Sequence, residues 1–172
     1  MIERLRQGDG ARLRAIRLRA LADAPEAFGS TLAESEGRSV AEWEAQIEVL
    51  PTFVWREGDA DLGMVRGAPH DSDADAGDLI SMWVAPEARG RGVADALVGE
   101  VVAWARDRGL RRLVLDVGEH NVPARRCYER QGFVATGGTG ALPEPRTHLR
   151  EVEMVIGLME GSVESHTVDG AG

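Results

Sequence analysis

The chain has 172 residues, 43% of them apolar, and a formal net charge of −9; that length and apolar share suit one domain with a filled core. The charge speaks against nucleic-acid binding, which needs a basic footprint to displace counterions from phosphates. No run reaches the length of a membrane span and the start Met1-Ile2-Glu3-Arg4 lacks the apolar block of a secretory signal, so a cytoplasmic protein with no membrane partner is expected. One cysteine, Cys127, excludes an internal disulfide and a multi-cysteine zinc site; the four histidines are scattered, and no metal is expected.

In chain order, Ile2 to Leu5 suits a short first strand, and Gly8-Asp9-Gly10 is a turn with Asp9 as candidate N-cap. A helix follows, because Leu13, Ile16, Arg17, Ala20 and Leu21 recur at helical spacing while Arg12, Arg14 and Arg19 fall largely elsewhere. It ends near Pro25, and residues 30–38 read as loop. Ser39-Val40-Ala41-Glu42 is a capping box that starts a second helix through Ile47. The runs 52–56 and 62–66 are strand-like and flank a turn rich in glycine and aspartate, which makes a hairpin. The acidic stretch 71–78 fails as a calcium loop, having Ala76 where the turn glycine belongs and Met82 where the bidentate glutamate belongs, and reads as a solvated loop.

A strand from Asp78 to Val84 then runs into Ala85-Pro86-Glu87-Ala88-Arg89-Gly90-Arg91-Gly92, after which Ala94, Leu97, Val98, Val101 and Ala105 mark one face of a long helix. Gly109 ends it. Residues 112–117 form a buried strand, so strand, crossover helix and strand imply a parallel pair. Asn121 to Gln131 reads as a third long helix, with Pro123 tolerable only in its first turn and Gly132 as its stop. Phe133 opens another strand, 137–145 reads as glycine- and proline-rich loop, and 149–158 alternates as a last strand. The small, polar residues 161–172 read as a loose tail beyond a single domain over 1–160.

The glycines at 90 and 92 stand where a helix begins. Backbone amides there have no helical acceptor, and the dipole end is positive, so the turn suits a phosphate, with Arg89 and Arg91 adding charge. A Walker loop is excluded because Val93 and Ala94 stand where lysine and serine or threonine are needed, and a dinucleotide fingerprint because its third glycine would fall at Asp95. What remains is Arg-x-x-Gly-x-Ala, with Arg89, Gly92 and Ala94 at the marked positions. This resembles the coenzyme A pyrophosphate loop of the GNAT-type N-acetyltransferases, whose pattern is Gln/Arg-x-x-Gly-x-Gly/Ala. One strand later, Asn121, Ala124, Tyr128, Gly132 and Phe133 fill the Asn-x-x-Ala-x-x-x-Tyr-x-x-x-Gly-Phe segment of the same family. The resemblance covers roughly 78–134.

The resemblance implies a mixed α/β fold with a GNAT-like central sheet of six to seven strands, splayed near Val84 and flanked by about four helices. It implies acetyl-CoA as co-substrate, its pantetheine pairing like an added strand with Met82, Trp83 and Val84. Its phosphates would lie at Arg89, Gly90, Arg91, Gly92, Val93 and Ala94, with Asn121, Ala124 and Tyr128 completing the site. Tyr128 matches the family's general acid. For the base, strand alternation sets Asp116 opposite Leu113, Leu115 and Val117, and its place five residues before Asn121 matches a carboxylate used by some members; Glu119, Asp78 and a water relay stay open. Cys127 reads as a small buried hydrophobe rather than a nucleophile. The expected activity is direct transfer of acetyl to a primary amine on a small molecule or peptide, with the acid balance leaning towards a cationic acceptor and a homodimer open to the chain. The rival is a non-catalytic acyl-CoA-binding sensor or interaction module. Residues 23–38 and 137–146 should shape the acceptor pocket.

Overall fold

A computed structural model describes residues 1–159; the tail at 161–172 lies outside them. The elements are β1 (Ile2–Arg4), α1 (Gly10–Asp23), α2 (Leu32–Glu36), α3 (Val40–Val49), β2 (Thr52–Glu57), β3 (Ala60–His70), β4 (Asp73–Val84), α4 (Val93–Asp107), β5 (Arg112–Gly118), α5 (Val122–Gln131), β6 (Val134–Ala141) and β7 (Arg150–Gly157). Seven strands form one sheet in the order β1-β2-β3-β4-β5-β7-β6. Only β4 and β5 run parallel among the described strands, and α4 is their crossover. The expected mixed α/β sheet is present, with five helices among the described residues instead of about four. No helix among the described residues is long and apolar enough to cross a membrane.

Side-chain alternation divides the sheet into two faces. Gly63, Gly67 and Gly77 turn towards α4, whose Leu97 and Trp104 come so close that a Cβ at Gly67 would lie 2.6 Å from the Trp104 ring. Close approach of the helix therefore requires glycine there. The intervening Arg66 turns to the other face, where its guanidinium donates to Gln46 of α3 at 2.9 Å. Helices α1 and α3 pack together on that second face. Burial of α4 is carried by Val93, Leu97, Val98, Val101, Val102 and Ala105, the stripe its sequence spacing implies.

Four local expectations need correction. Residues 30–38 hold α2, because Thr31 and Glu34 form a capping box of the same kind as Ser39 and Glu42. The acidic stretch is mostly strand: β4 pairs with β3 down to His70↔Asp73, and the carboxylates of Asp73 and Asp78 meet Arg112 and His70 instead of water alone. Residues 137–141 belong to β6, an edge strand exposed along its whole length and therefore lacking an apolar signature. Asp9 stands before α1 but does not cap it with its side chain; that carboxylate takes the Arg6 N–H, while Glu44 accepts from the amides of Gly8 and Gly10 at 2.9 and 2.6 Å.

Candidate active site

The site begins where β4 and β5 part. Their pairing consists of Ala76↔Arg112, Gly77↔Leu113 and Asp78↔Val114, and it stops there. From Leu79 to Val84 one edge of β4 has no strand beside it among the described residues, so the splay opens just past Asp78 and reaches Val84. A bulge re-aims this stretch: Ser81 and Met82 together oppose Val65 of β3, and Ser81 has φ of 57°. A left-handed serine has no sequence signature, which is why the bulge escapes sequence reading.

Beyond Val84 a 3₁₀ turn at Pro86–Ala88 leads into the glycine loop. Gly90 and Gly92 have φ of 73° and 79°, and Gly92 is the N-cap of α4. A Cβ at either would meet nothing within 4 Å, so the turn borders open space, as a phosphate cradle must. The loop arginines do not stand free. Arg89 donates to the Val84 carbonyl at 3.0 Å and to Asp23 at 2.6 Å, and Arg91 pairs with Glu57 at 2.6 Å. Asp23 also accepts from Trp83 Nε1 at 2.9 Å, so it ties α1 to both ends of the stretch. Those bonds, with the Trp83 N–H first, hold its carboxyl below the ordinary range.

Helix α5 follows β5 and packs on α4. Asn121 caps it by accepting from the Ala124 N–H at 3.3 Å, and Gly132 ends it at φ of 101°. Asp95, in the first turn of α4, accepts from Arg130 and Gln131 at 3.1 Å each and so fastens α5 against the helix that starts at the glycine loop. In the sequence Asp95 serves only to exclude another motif. Tyr128 is 6% exposed, edge-on to Phe133 with ring centroids 5.8 Å apart. Burial raises its pKa beyond the ordinary phenol value, so it is neutral throughout the physiological range. Cys127 is buried, and desolvation with nearby Asp95 pushes its thiol up to about 11, which fits a packing residue.

On the α1/α3 face the strands carry a row of charges. Arg66 pairs with Ile80, Ile80 is level with Asp116 where β4 and β5 diverge, and Asp116 pairs with Glu153 of β7. Asp116 is the exposed residue between buried Leu115 and Val117. Partial desolvation, then Glu153 and Asp78, raises its pKa. Asp78 is engaged by His70, Nδ1 to Oδ1 at 2.6 Å, and Glu153 accepts from Thr136 at 2.8 Å. Glu119 lies exposed past the end of β5.

The other end of the row is cationic and has no counterpart among the sequence expectations. Arg66 is 4% exposed and Arg17 of α1 is 7% exposed. Burial, with the mutual repulsion of Arg17, Arg38 and Arg66, brings the guanidinium pKa values down to about 10 for Arg17 and about 9 for Arg66. The available signal is Arg17 itself, an arginine on the apolar stripe of α1. Two loops cover this face: the 3₁₀ turn Pro25–Ala27 packs on β5, and Arg146, from the loop between β6 and β7, donates to the carbonyls of Pro25, Phe28 and Gly29 at 2.6–2.8 Å. One side chain thus joins the two segments expected to shape the acceptor pocket.

The model of the Acetyltransferase (GNAT) family matches residues 18–133, more than half of the chain. A mycothiol acetyltransferase from Rhodococcus erythropolis is 32% identical over 112 residues, covering 63% of this chain and 38% of that protein. A streptothricin acetyltransferase from Streptomyces lavendulae is 33% identical over 91 residues, covering 53% and 48%. The chain therefore spans less than half the length of these relatives. A Salmonella typhimurium chain solved with acetyl-CoA, described there as its cofactor, superposes with a TM-score of 0.75 over 96% of this chain and 98% of that one at 20% identity, which shows a shared fold. The chain belongs to the acetyltransferase (GNAT) family.

Proposed function

We propose that this protein transfers the acetyl group of acetyl-CoA directly to a primary amine. The observation that carries the reading is the unpaired edge of β4 running into a glycine turn that borders open space, with Tyr128 and Asp116 on the elements beyond the gap. Residues 79–84 offer peptide groups to pantetheine, and the amides at Gly90, Gly92, Val93 and Ala94 offer donors to the pyrophosphate. Because Arg89 and Arg91 are already paired, these amides and the α4 dipole supply most of the attraction. When bound, acetyl-CoA supplies a thioester carbonyl open to attack.

The chain's own groups then divide the proton work. Asp116 takes a proton from the incoming ammonium, and its raised pKa makes it a stronger base than an ordinary carboxylate. Asp78 and Glu153 add negative potential that draws the ammonium in. Tyr128 keeps its proton at neutral pH and donates towards the departing sulfur. Of the three carboxylates open to the base role, Asp78 is taken up by His70 and Glu119 lies past the strand end, which favours Asp116. The names of the mycothiol and streptothricin relatives support a small-molecule acceptor. The test is release of free thiol from acetyl-CoA across a panel of amines: wild type turns over, and Asp116→Asn is slow at neutral pH with partial rescue at high pH, where the amine deprotonates itself. No turnover on any amine, with acetyl-CoA bound, would favour the sensor reading.

A further inference from the structure

We infer that Arg17, Arg38 and Arg66 form a binding site for an oxyanion, a carboxylate or phosphate group carried by the amine acceptor. The assignment to the acceptor rests on the acetyl-transfer reading above; the anion site does not. Arg17 and Arg66 are more than nine-tenths buried, and Nη1 of Arg17 with Nε and Nη2 of Arg66 find no hydrogen-bond partner among the described residues. Buried guanidiniums normally sit against carboxylates, because an unpaired charge held out of water is strongly destabilising. Here the only polar side chain bonded to Arg66 among the described residues is the neutral Gln46, while Arg17 lies under the Phe28 ring at 4.5 Å and Arg38 over Trp43 at 5.5 Å. Two buried guanidiniums with donors left over, and Arg38 as a third cation that repels both, match the forked donors that recognise carboxylate and phosphate.

The position ties this anion site to the acetyl-transfer chemistry. Arg66 and Ile80 are cross-strand partners about 4.8 Å apart, and the β4–β5 register continued past Asp78↔Val114 sets Ile80 level with Asp116 across the gap where the two strands part. Ile80, 36% exposed, is the apolar floor between the cationic and acidic ends. An acceptor laid along that row places its amine at Asp116 and an oxyanion at Arg66, so the acceptor carries both charges. Phe28, whose carbonyl is held by Arg146, packs its ring against Arg17.

Thermal melts at fixed ionic strength, with inorganic phosphate or acetate replacing chloride and saturating coenzyme A present to fill the glycine loop, test the site without turnover. The wild type is expected to show a saturable rise in Tm that Arg17→Met and Arg66→Met both lose, and each variant is expected to melt higher than wild type in chloride. An equal anion response in wild type and variants overturns the site. If one variant fails to fold, the other decides, and no saturable response in the wild type overturns the site by itself. A thiol-release assay on size-matched amine pairs, one member bearing a carboxylate or phosphate, tests the acceptor. The expected preference for the anionic member is about 10- to 100-fold in kcat/KM, erased by Arg66→Met. Absence of that preference overturns the acceptor assignment and leaves acetyl transfer standing. An arginine-dependent anion response with no turnover on any amine overturns acetyl transfer and leaves the anion site.

Discussion

The two ends of the β4–β5 gap are built on different principles. At the α4 end the chemistry resides in backbone: Gly90 and Gly92 adopt left-handed φ, a side chain there would project into open space, and the nearby arginines are tied to Asp23 and Glu57. At the opposite face it resides in side chains drawn from five separated segments, with Arg17, Arg66, Asp116, Arg146 and Glu153 brought together only by the fold. A backbone site suits a ligand part common to a family, and a side-chain site suits the part that differs. The contrast teaches where substitutions should act on the proposed acetyl-CoA site and where on the proposed acceptor site.

The largest expected effect comes from Gly92→Glu, which breaks the backbone site. The new residue must hold φ near 79°, a strain of about 1–2 kcal/mol for a non-glycine, and it sets a carboxylate in the phosphate space. Stabilisation of the fold by acetyl-CoA, read as a rise in Tm, should vanish; a folded variant with an unchanged shift removes the loop from the site. Next comes Tyr128→Phe, which removes one hydroxyl and keeps the ring against Phe133. If the phenol serves the leaving sulfur, kcat falls by about 10²- to 10⁴-fold, with a smaller change in KM for acetyl-CoA. An unaltered kcat under rate-limiting chemistry makes Tyr128 a packing residue.

The same contrast explains what is legible in the sequence. The glycine turn, the helix that begins at Asn121 and the alternation that exposes Asp116 are local, each decided by residues a few positions apart. The mixed sheet and its parallel pair also follow, because strand, helix and strand admit few connections. The face proposed for the acceptor is not legible: the arginine cluster depends on β3 lying beside α1, and Arg146 reaches a segment more than a hundred positions away. The strand β6 is hidden because an exposed edge needs no apolar alternation, and α2 because only its capping box, not its length, announces it. Arg17 falls on the buried stripe of α1 from spacing alone, yet nothing local says that a guanidinium with an unpaired donor among the described residues would stay there.

A smaller effect is expected from Arg146→Ala, which sharpens the side-chain half of the comparison. It removes three donors from the Pro25, Phe28 and Gly29 carbonyls and releases the loop that covers Arg17. KM for the amine should rise by about 3- to 10-fold, the equivalent of one or two net hydrogen bonds, while the acetyl-CoA dissociation constant stays within about twofold. Equal changes in both would mean that the strap supports the whole fold instead of the acceptor side.

The smallest effect separates charge from geometry at Asp116. Its folded-state pKa is raised, by partial desolvation first and then by Glu153 and Asp78. Between the unfolded value, about 3.9, and the raised folded value, the folded state binds more protons than the unfolded one, so stability contributed at this residue falls as pH rises through that window. Above the window the penalty is present in full; below it, both states are protonated and it is gone. His70 opposes the repulsion when protonated, since its own pKa is raised by the bond to Asp78, and that help is lost as pH rises through the raised imidazole value. Asp116→Asn should therefore melt slightly above wild type at pH 8, by no more than about 2 °C for an exposed carboxylate, with the gap closing near pH 3. A gap that persists unchanged at pH 3 would mean that the introduced amide gains through packing or a new hydrogen bond, and the crowding of carboxylates at the acceptor end would then carry no energetic weight.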